Sequence, residues 1–308
     1  MNAPFAYEQT ALQLISADLR RRTFQRITRD STNLFLRGRD IISVSPQVFG
    51  THEPALTRLI ETFAREGQGD FLIDIGANIG LTSCQNGSSF KAVHLFEPNP
   101  LCCHILAVNT RIALPAGQYQ IHPYGLGESD KKVQLTVPRH NWGGAFVNDA
   151  ANSYDAALLA GKDGLQQIHE QSYYTVDIEI RDTQTELQQL FRSLAERGLK
   201  NGVIKIDVEG YEPVVLAGIA RAIPADMTVA VAFESWNANC KLDDTLAAFG
   251  GRAKGYKLVR RTPWRQEMPR LVKAACLLWN RKIVTTLEPI TAGDCFGELV
   301  LKVDRKAA

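Results

Sequence analysis

The chain has no long apolar run. Nothing in its 308 residues approaches the ~20 consecutive apolar residues that a membrane-spanning helix needs. The first thirty residues hold no continuous apolar stretch of leader-peptide length, and Arg20, Arg21 and Arg22 come too late for a charged leader start, so the expected location is cytoplasmic. Charge of one sign is also scarce: a net +2 leaves no general nucleic-acid footprint, and no nucleic-acid partner is expected. The six cysteines form neither a C-x-x-C pair nor a zinc spacing, which leaves reduced structural thiols. What remains is an ordinary globular composition, long enough for one large domain or two small ones.

The dinucleotide glycine pattern G-x-G-x-x-G is missing too, but residues 71–80, FLIDIGANIG, come near it. Phe71, Leu72, Ile73 and Ile75 are the content of a strand buried on both faces, and Gly76-Ala77-Asn78-Ile79-Gly80 turns directly into a helix. Glycines in such a turn let backbone approach a ligand, with the first N–H groups of the next helix facing the same crevice. Asn78 stands in the place of the second glycine and Asp74 closes the strand, so the mouth is acidic and does not suit a pyrophosphate. A second strand over 92–96 ends on Glu97, about twenty residues after the turn, where an acidic residue meets ribose hydroxyls. S-adenosylmethionine carries an ammonium and a sulfonium beside its ribose, and Asp74 and Glu97 complement it better than they complement a nicotinamide dinucleotide. The competing reading is a turn that uses glycine for packing alone.

The rest of the chain alternates strand and helix. Leu12, Ile15, Leu19 and Phe24 predict an amphipathic helix over 11–27, residues 33–44 read as a hairpin with Gly38 at its turn, and 53–66 as a helix. Residues 1–50 are thus expected to form an extension before a domain spanning 51–308. Beyond Glu97 the pattern predicts a helix over 100–109, a strand over 119–123, a turn at Gly125-Leu126-Gly127-Glu128 at another carboxyl end, and an extended stretch over 133–137. Residues 139–172 form an insertion: a loop at Arg139-His140-Asn141-Trp142-Gly143-Gly144, then an aperiodic segment over 148–170 that reads as a lid or as a disordered insert. A half-exposed strand over 173–180, a helix over 185–197 and strands over 202–208, 228–233, 257–261 and 297–303 follow. Strands separated by helices argue for an α/β, doubly wound, mostly parallel sheet.

Three stretches carry a more specific likeness. DIGANIG at 74–80, FEPNP at 96–100 and IKIDVEGYEPVVLAGI at 204–219 resemble, in order, the motifs of the FkbM family of S-adenosylmethionine-dependent methyltransferases, over roughly residues 71–235. The resemblance implies a Rossmann-like methyltransferase sheet of seven strands, the last antiparallel and inserted beside its neighbour. It also implies S-adenosylmethionine as cofactor and O-methylation, often of sugars or polyketides. The cofactor is then expected on Asp74, Gly76, Asn78, Gly80, Glu97 and Gly125.

O-methylation needs a hydroxyl aligned with an activated methyl carbon and a group to take its proton. Asp207, Glu209 and Glu234 end the fourth and fifth parallel strands, and adjacent strands lie about 4.8 Å apart, so these carboxylates can converge. Mutual repulsion would push one toward a useful base. The same carboxylates suit a magnesium ion, and Glu209 or Glu212 can instead cap the helix that starts near Tyr211. His140, in its glycine-flanked loop, is a weaker candidate. The expected partner is a saccharide or other small-molecule acceptor. Between Arg252 and Lys282, ten basic residues face one acid, Glu267. That segment reads as a solvated face or as the seat of an anionic acceptor, with contact at a membrane surface as one form of the second reading. The oligomeric state has no signal in the sequence. A non-catalytic protein that keeps the cofactor fold is the alternative function.

Overall fold

A computed structural model describes residues 10–147, 172–235, 242–264, 267–278, 282–290 and 296–306. Three helices come first, α1 (Ala11–Ile27), α2 (Ile41–Phe49) and α3 (Pro54–Phe63). Then β1 (Phe71–Ile75), α4 (Leu81–Asn86), β2 (Ala92–Phe96), α5 (Pro100–Ala113) and β3 (Tyr119–His122) build one half of the main sheet. Four strands of a second sheet follow, β4 (Gly125–Gly127), β5 (Lys131–Pro138), β6 (Phe146–Val147) and β7 (Tyr173–Asp182). The chain returns to the main sheet through α6 (Thr183–Glu196), β8 (Asn201–Ile206), α7 (Glu212–Ala222) and β9 (Thr228–Ser235). It ends with α8 (Leu242–Ala248), β10 (Ala253–Arg261), α9 (Arg270–Leu278), β11 (Val284–Pro289) and β12 (Gly297–Val303).

The main sheet runs β11-β10-β12-β9-β8-β1-β2-β3. From β9 to β3 the neighbours are parallel; β12 lies antiparallel between β9 and β10, and β11 is antiparallel to β10. β1 is buried at all five positions because helices cover both faces, which is why its sequence is apolar and does not alternate. Phe71, Ile73 and Ile75 pack toward α6 and α7, with Leu187, Phe191, Leu194, Val215 and Ile219. Leu72 packs toward α3 and α5, with Ile60, Phe63 and Leu106. Each such fully buried side chain contributes roughly 1.5–3 kcal/mol of transfer free energy.

Among the described residues the sheet therefore has eight strands where seven are implied by the resemblance, because β11 extends the edge beyond β10. The stretch read as a hairpin over 33–44 is instead the approach to α2. Asp40 accepts from the Ile42 N–H at 3.3 Å, and Gly50 at φ 71 stops the helix, so a cap and a left-handed terminator outweigh the β-branched run between them. Gly125 to Gly127 is no turn but strand β4, paired in parallel with β7. Thr183 reinforces that pairing by donating to the Gly127 carbonyl at 2.8 Å. The lid expected over 148–170 lies outside the described residues. Among the described residues, no helix is long and apolar enough to cross a membrane.

Candidate active site

The turn after β1 has little freedom. Gly76 has φ 81, and a Cβ built there would lie 1.8 Å from the Asp207 carbonyl oxygen, so only glycine lets the ends of β1 and β8 close on each other. Gly76 and Ala77 both donate to the Phe96 carbonyl, at 2.9 and 3.0 Å, which ties the turn to β2 as well. Asn78 adopts φ 50 and Gly80 φ 86. The Asn78 N–H donates to Glu97 Oε2 at 2.8 Å, and the Asn99 N–H donates to Glu97 Oε1 at 2.7 Å. Glu97 is thereby held by two backbone donors while each oxygen keeps further acceptor capacity. Burial pushes its carboxyl up to about 7, against the downward pull of the Asn99 and Asn78 bonds.

An open cleft of about 720 Å³ separates the carboxyl ends of β1, β2 and β8 from the second sheet. Gly76, Asn78, Glu97, Gly125, Asp207 and Glu209 all border it, with Phe96, Leu126, Ile178 and Trp142 as apolar walls. A second chamber of about 610 Å³ shares Gly76, Asn78, Gly143, Asp207 and Glu209 with the cleft and adds His52, Glu53, Lys205 and Glu234. Asp207 and Glu234 thus come to one chamber, as the strand arithmetic predicts. A narrower cavity continues from it between α3 and the sheet, lined by Glu53, Asp207, Glu234 and Glu298 above Leu56 and Leu299. Glu298 stands opposite Glu234 in the β12–β9 register; burial first, then Glu53, pushes its carboxyl upward.

Asp74 is placed differently from the sequence expectation. Its carboxylate is fully buried beneath the turn and does not border the cleft: Ser83 Oγ donates to Oδ2 at 2.6 Å and the Lys205 ammonium lies 3.4 Å from Oδ1. Lys205 also reaches Asp207 Oδ2 and the Gly76 carbonyl, each at 3.3 Å. Burial would lower the Lys205 pKa, but Asp74, then Asp207 and Glu53, overcome it and the net shift is upward. The charge nearest Asp207 is accordingly a cation, where the sequence suggests carboxylate repulsion. Lys205 has a sequence signal: a lysine inside the apolar run GVIKIDV needs a buried anion, and its register partner is Asp74.

Glu209 is a non-glycine residue at φ 48, followed by Gly210 at φ 92. Glu212 braces this bend: its carboxylate accepts from Gly210 N at 2.8 Å and from Val208 N at 3.3 Å. His140 lines none of the three cavities; its carbonyl accepts from Ile41 N at 3.3 Å. Sequence reasoning missed what holds the loop beyond it. Arg37 ion-pairs Asp40 at 2.7 Å, stacks 4.2 Å over the Trp142 ring and donates to the Arg139 carbonyl, while Trp142 N donates to Asp40 Oδ2 at 3.3 Å. Among the described residues, no group of three or more His, Cys, Asp or Glu side chains is arranged to hold a metal ion.

A doubly wound sheet, a tight glycine turn and a backbone-held glutamate ending β2 define the class of S-adenosylmethionine-dependent methyltransferases. The family model described as the methyltransferase FkbM domain matches residues 74–258, and the chain belongs to that family. S-adenosylmethionine is its methyl donor. No curated protein matches the chain. Solved structures similar to it include an FkbM methyltransferase from Methylobacillus flagellatus KT, 14% identical, covering 93% of this chain and 60% of that one with a TM-score of 0.35. A precorrin-6y C5,15-methyltransferase from Geobacter metallireducens GS-15 is 9% identical, with 82% and 93% covered and a TM-score of 0.37. Glu97 fits the donor by offering acceptors for a ribose, whereas the glycine at position 76 is required by the chain's own packing against the Asp207 carbonyl.

Proposed function

We propose that the chain is an O-methyltransferase acting on a hydroxyl of a saccharide or a similar small-molecule glycan precursor. The observation that carries this reading is the chamber that opens off the cofactor cleft at Gly76, Asp207 and Glu209 and is lined by Glu53, Asp207, Glu209 and Glu234. Carboxylates are acceptors only, so such a wall is suited to hydroxyl donors on the acceptor. In this reading Gly76, Asn78, Gly125 and Glu97 hold the donor, with Glu97 on the ribose; Gly80, buried against Leu106 and Cys84, borders neither space and only shapes the turn. The bound donor supplies a methyl group on a positively charged sulfur.

The residues of the chamber then have two tasks. They align the acceptor oxygen, and one of Asp207 or Glu234 takes its proton as the new carbon–oxygen bond forms. Glu209, fixed by its bend, borders both spaces and contacts the acceptor next to the donor. An anionic portion of the acceptor would lie outside this chamber, along the basic segment that includes exposed Arg260.

The test is transfer of labelled methyl from S-adenosylmethionine over a panel of sugars, nucleotide sugars and lipid-linked saccharides, with the product's methyl position assigned by NMR. Methyl on oxygen is expected. Label on nitrogen or carbon overturns O-methylation, and donor binding without transfer to any acceptor favours the non-catalytic alternative.

A further inference from the structure

Lys205 is a buried cation surrounded by acceptors. It sits in the middle of the main sheet, 6% exposed, beside Asp74 in the β8–β1 register. The ammonium donates to two oxygens, the Gly76 carbonyl and Asp207 Oδ2, each at 3.3 Å, and lies 3.4 Å from Asp74 Oδ1 in an ion pair. These belong to three different parts of the site, the strand beneath the turn, the turn itself and the end of β8. Asp74 in turn accepts from Ser83 at 2.6 Å, at the start of α4. A continuous polar chain thus runs Ser83–Asp74–Lys205–Asp207, crossing under the turn that borders the cofactor cleft.

Charge compensation alone would require one contact, to Asp74. The other two do something different. Gly76 and Asp207 border both the cleft and the chamber, and the backbone already brings them together through the Asp207 N–H donating to the Ile75 carbonyl at 2.9 Å. That backbone bond fixes where Asp207 begins but not where its carboxylate points. The ammonium supplies the missing constraint, since a point charge on one head group can hold a carbonyl and a carboxylate in a single frame.

We propose that Lys205 is a positioning residue for the donor site. It holds the Gly76 turn and the Asp207 carboxylate as one wall between donor and acceptor; Lys205 itself borders the chamber but not the donor cleft. The proposal rests on the methyl donor and on no acceptor, so it stands or falls apart from the O-methylation reading.

The measurement is calorimetric affinity for S-adenosylmethionine and for S-adenosylhomocysteine, paired with the thermal midpoint of each variant. K205M leaves Asp74 buried without a counter-charge and is expected to unfold at lower temperature. The informative protein is D74N/K205M, in which the buried charge is removed together with its partner and the new amide carbonyl can still accept from Ser83. Its midpoint should return to within a few degrees of wild type while both affinities stay weakened by about tenfold or more. Wild-type affinity in that double variant would overturn the proposal and reduce Lys205 to a counter-charge. Should the double variant not fold, K205R decides. A guanidinium keeps the charge, but its larger planar fork cannot occupy the position of the compact ammonium between Gly76, Asp207 and Asp74, so weaker affinity in a folded K205R is expected and unchanged affinity overturns the proposal.

Discussion

The two sides of the cleft are held by different forces. At the ends of β1 and β2, Glu97 is fixed by the backbone N–H groups of Asn78 and Asn99, and the turn by the Phe96 carbonyl. At the ends of β8 and β9 the side chains are set by charge: Lys205 between Asp74 and Asp207, with Glu53, Glu234 and Glu298 around them. Backbone bonds fix a geometry that few side-chain substitutions can move. Ion pairs fix one that a single substitution, or a change of protonation, can rearrange.

The comparison breaks most completely at Gly76, where the halves meet. Gly76→Ala combines a left-handed backbone with a methyl group on top of the Asp207 carbonyl oxygen. It should cost roughly 3 kcal/mol or more of stability, seen by urea unfolding, and abolish donor binding. Next in size are Asp207→Asn and Glu234→Gln. Once an acceptor is in hand, one of them should lower kcat by about 10²–10⁴ while donor affinity changes far less. An unaltered rate in both removes the carboxylates from the chemistry.

On the backbone-held side, Glu97→Ala should weaken S-adenosylmethionine binding by about 10–100-fold by leaving ribose hydroxyls unpaired, whereas Glu212→Ala, which loses only a local bend, should leave affinity unchanged. Glu97 also carries a pH signature. Its folded value of about 7 lies above the ordinary glutamate range, so its stabilising contribution to the free protein is full below the unfolded value and lost as pH rises through about 7. Donor binding, which needs the acceptor form, should run the other way and tighten as pH rises through that range. Calorimetry in buffers of different ionisation enthalpy should record proton release on binding, and Glu97→Gln should abolish it. The smallest effect is expected at the rim. Arg260→Gln should flatten a modest fall of kcat/KM with salt if the acceptor is anionic, and a profile already flat in wild type leaves a solvated face.

How far the sequence spoke depended on whether a feature was local. The strand–turn–helix at 71–80 was legible because its apolar run and its glycines answer to constraints within ten residues, and the parallel order followed from the strand–helix alternation. Asp74 was misplaced because a carboxylate one residue short of a strand's end can point beneath the turn as well as out of it. Its partner Lys205 is 131 residues away and becomes its neighbour only through the β1–β8 register. The region before α2 was misread for a similar reason: Asp40 acts as a helix cap while also receiving Arg37 and Trp142, and the second of these is 102 residues distant. β11 gave no signal because Val284–Pro289 is half exposed, with threonine and glutamate among its residues, and is a strand mainly by virtue of pairing with β10.

The placement of β12 bears on the order in which the molecule can assemble. It follows β9, β10 and β11 in sequence, yet it lies between β9 and β10 and not at a margin. During synthesis β9 and the β10–β11 pair emerge first, and neither has its neighbour. Until residues 297–303 arrive, two rows of backbone donors and acceptors stand open, one of them along a strand with six of its eight residues buried in the finished protein. A ribosome-stalled or prematurely released chain would present those edges to its own copies, and its foreseeable fate is association through strands. β12 is in this sense a latch whose closing after β9, β10 and β11 makes the interval before it the hazardous part of the protein's life.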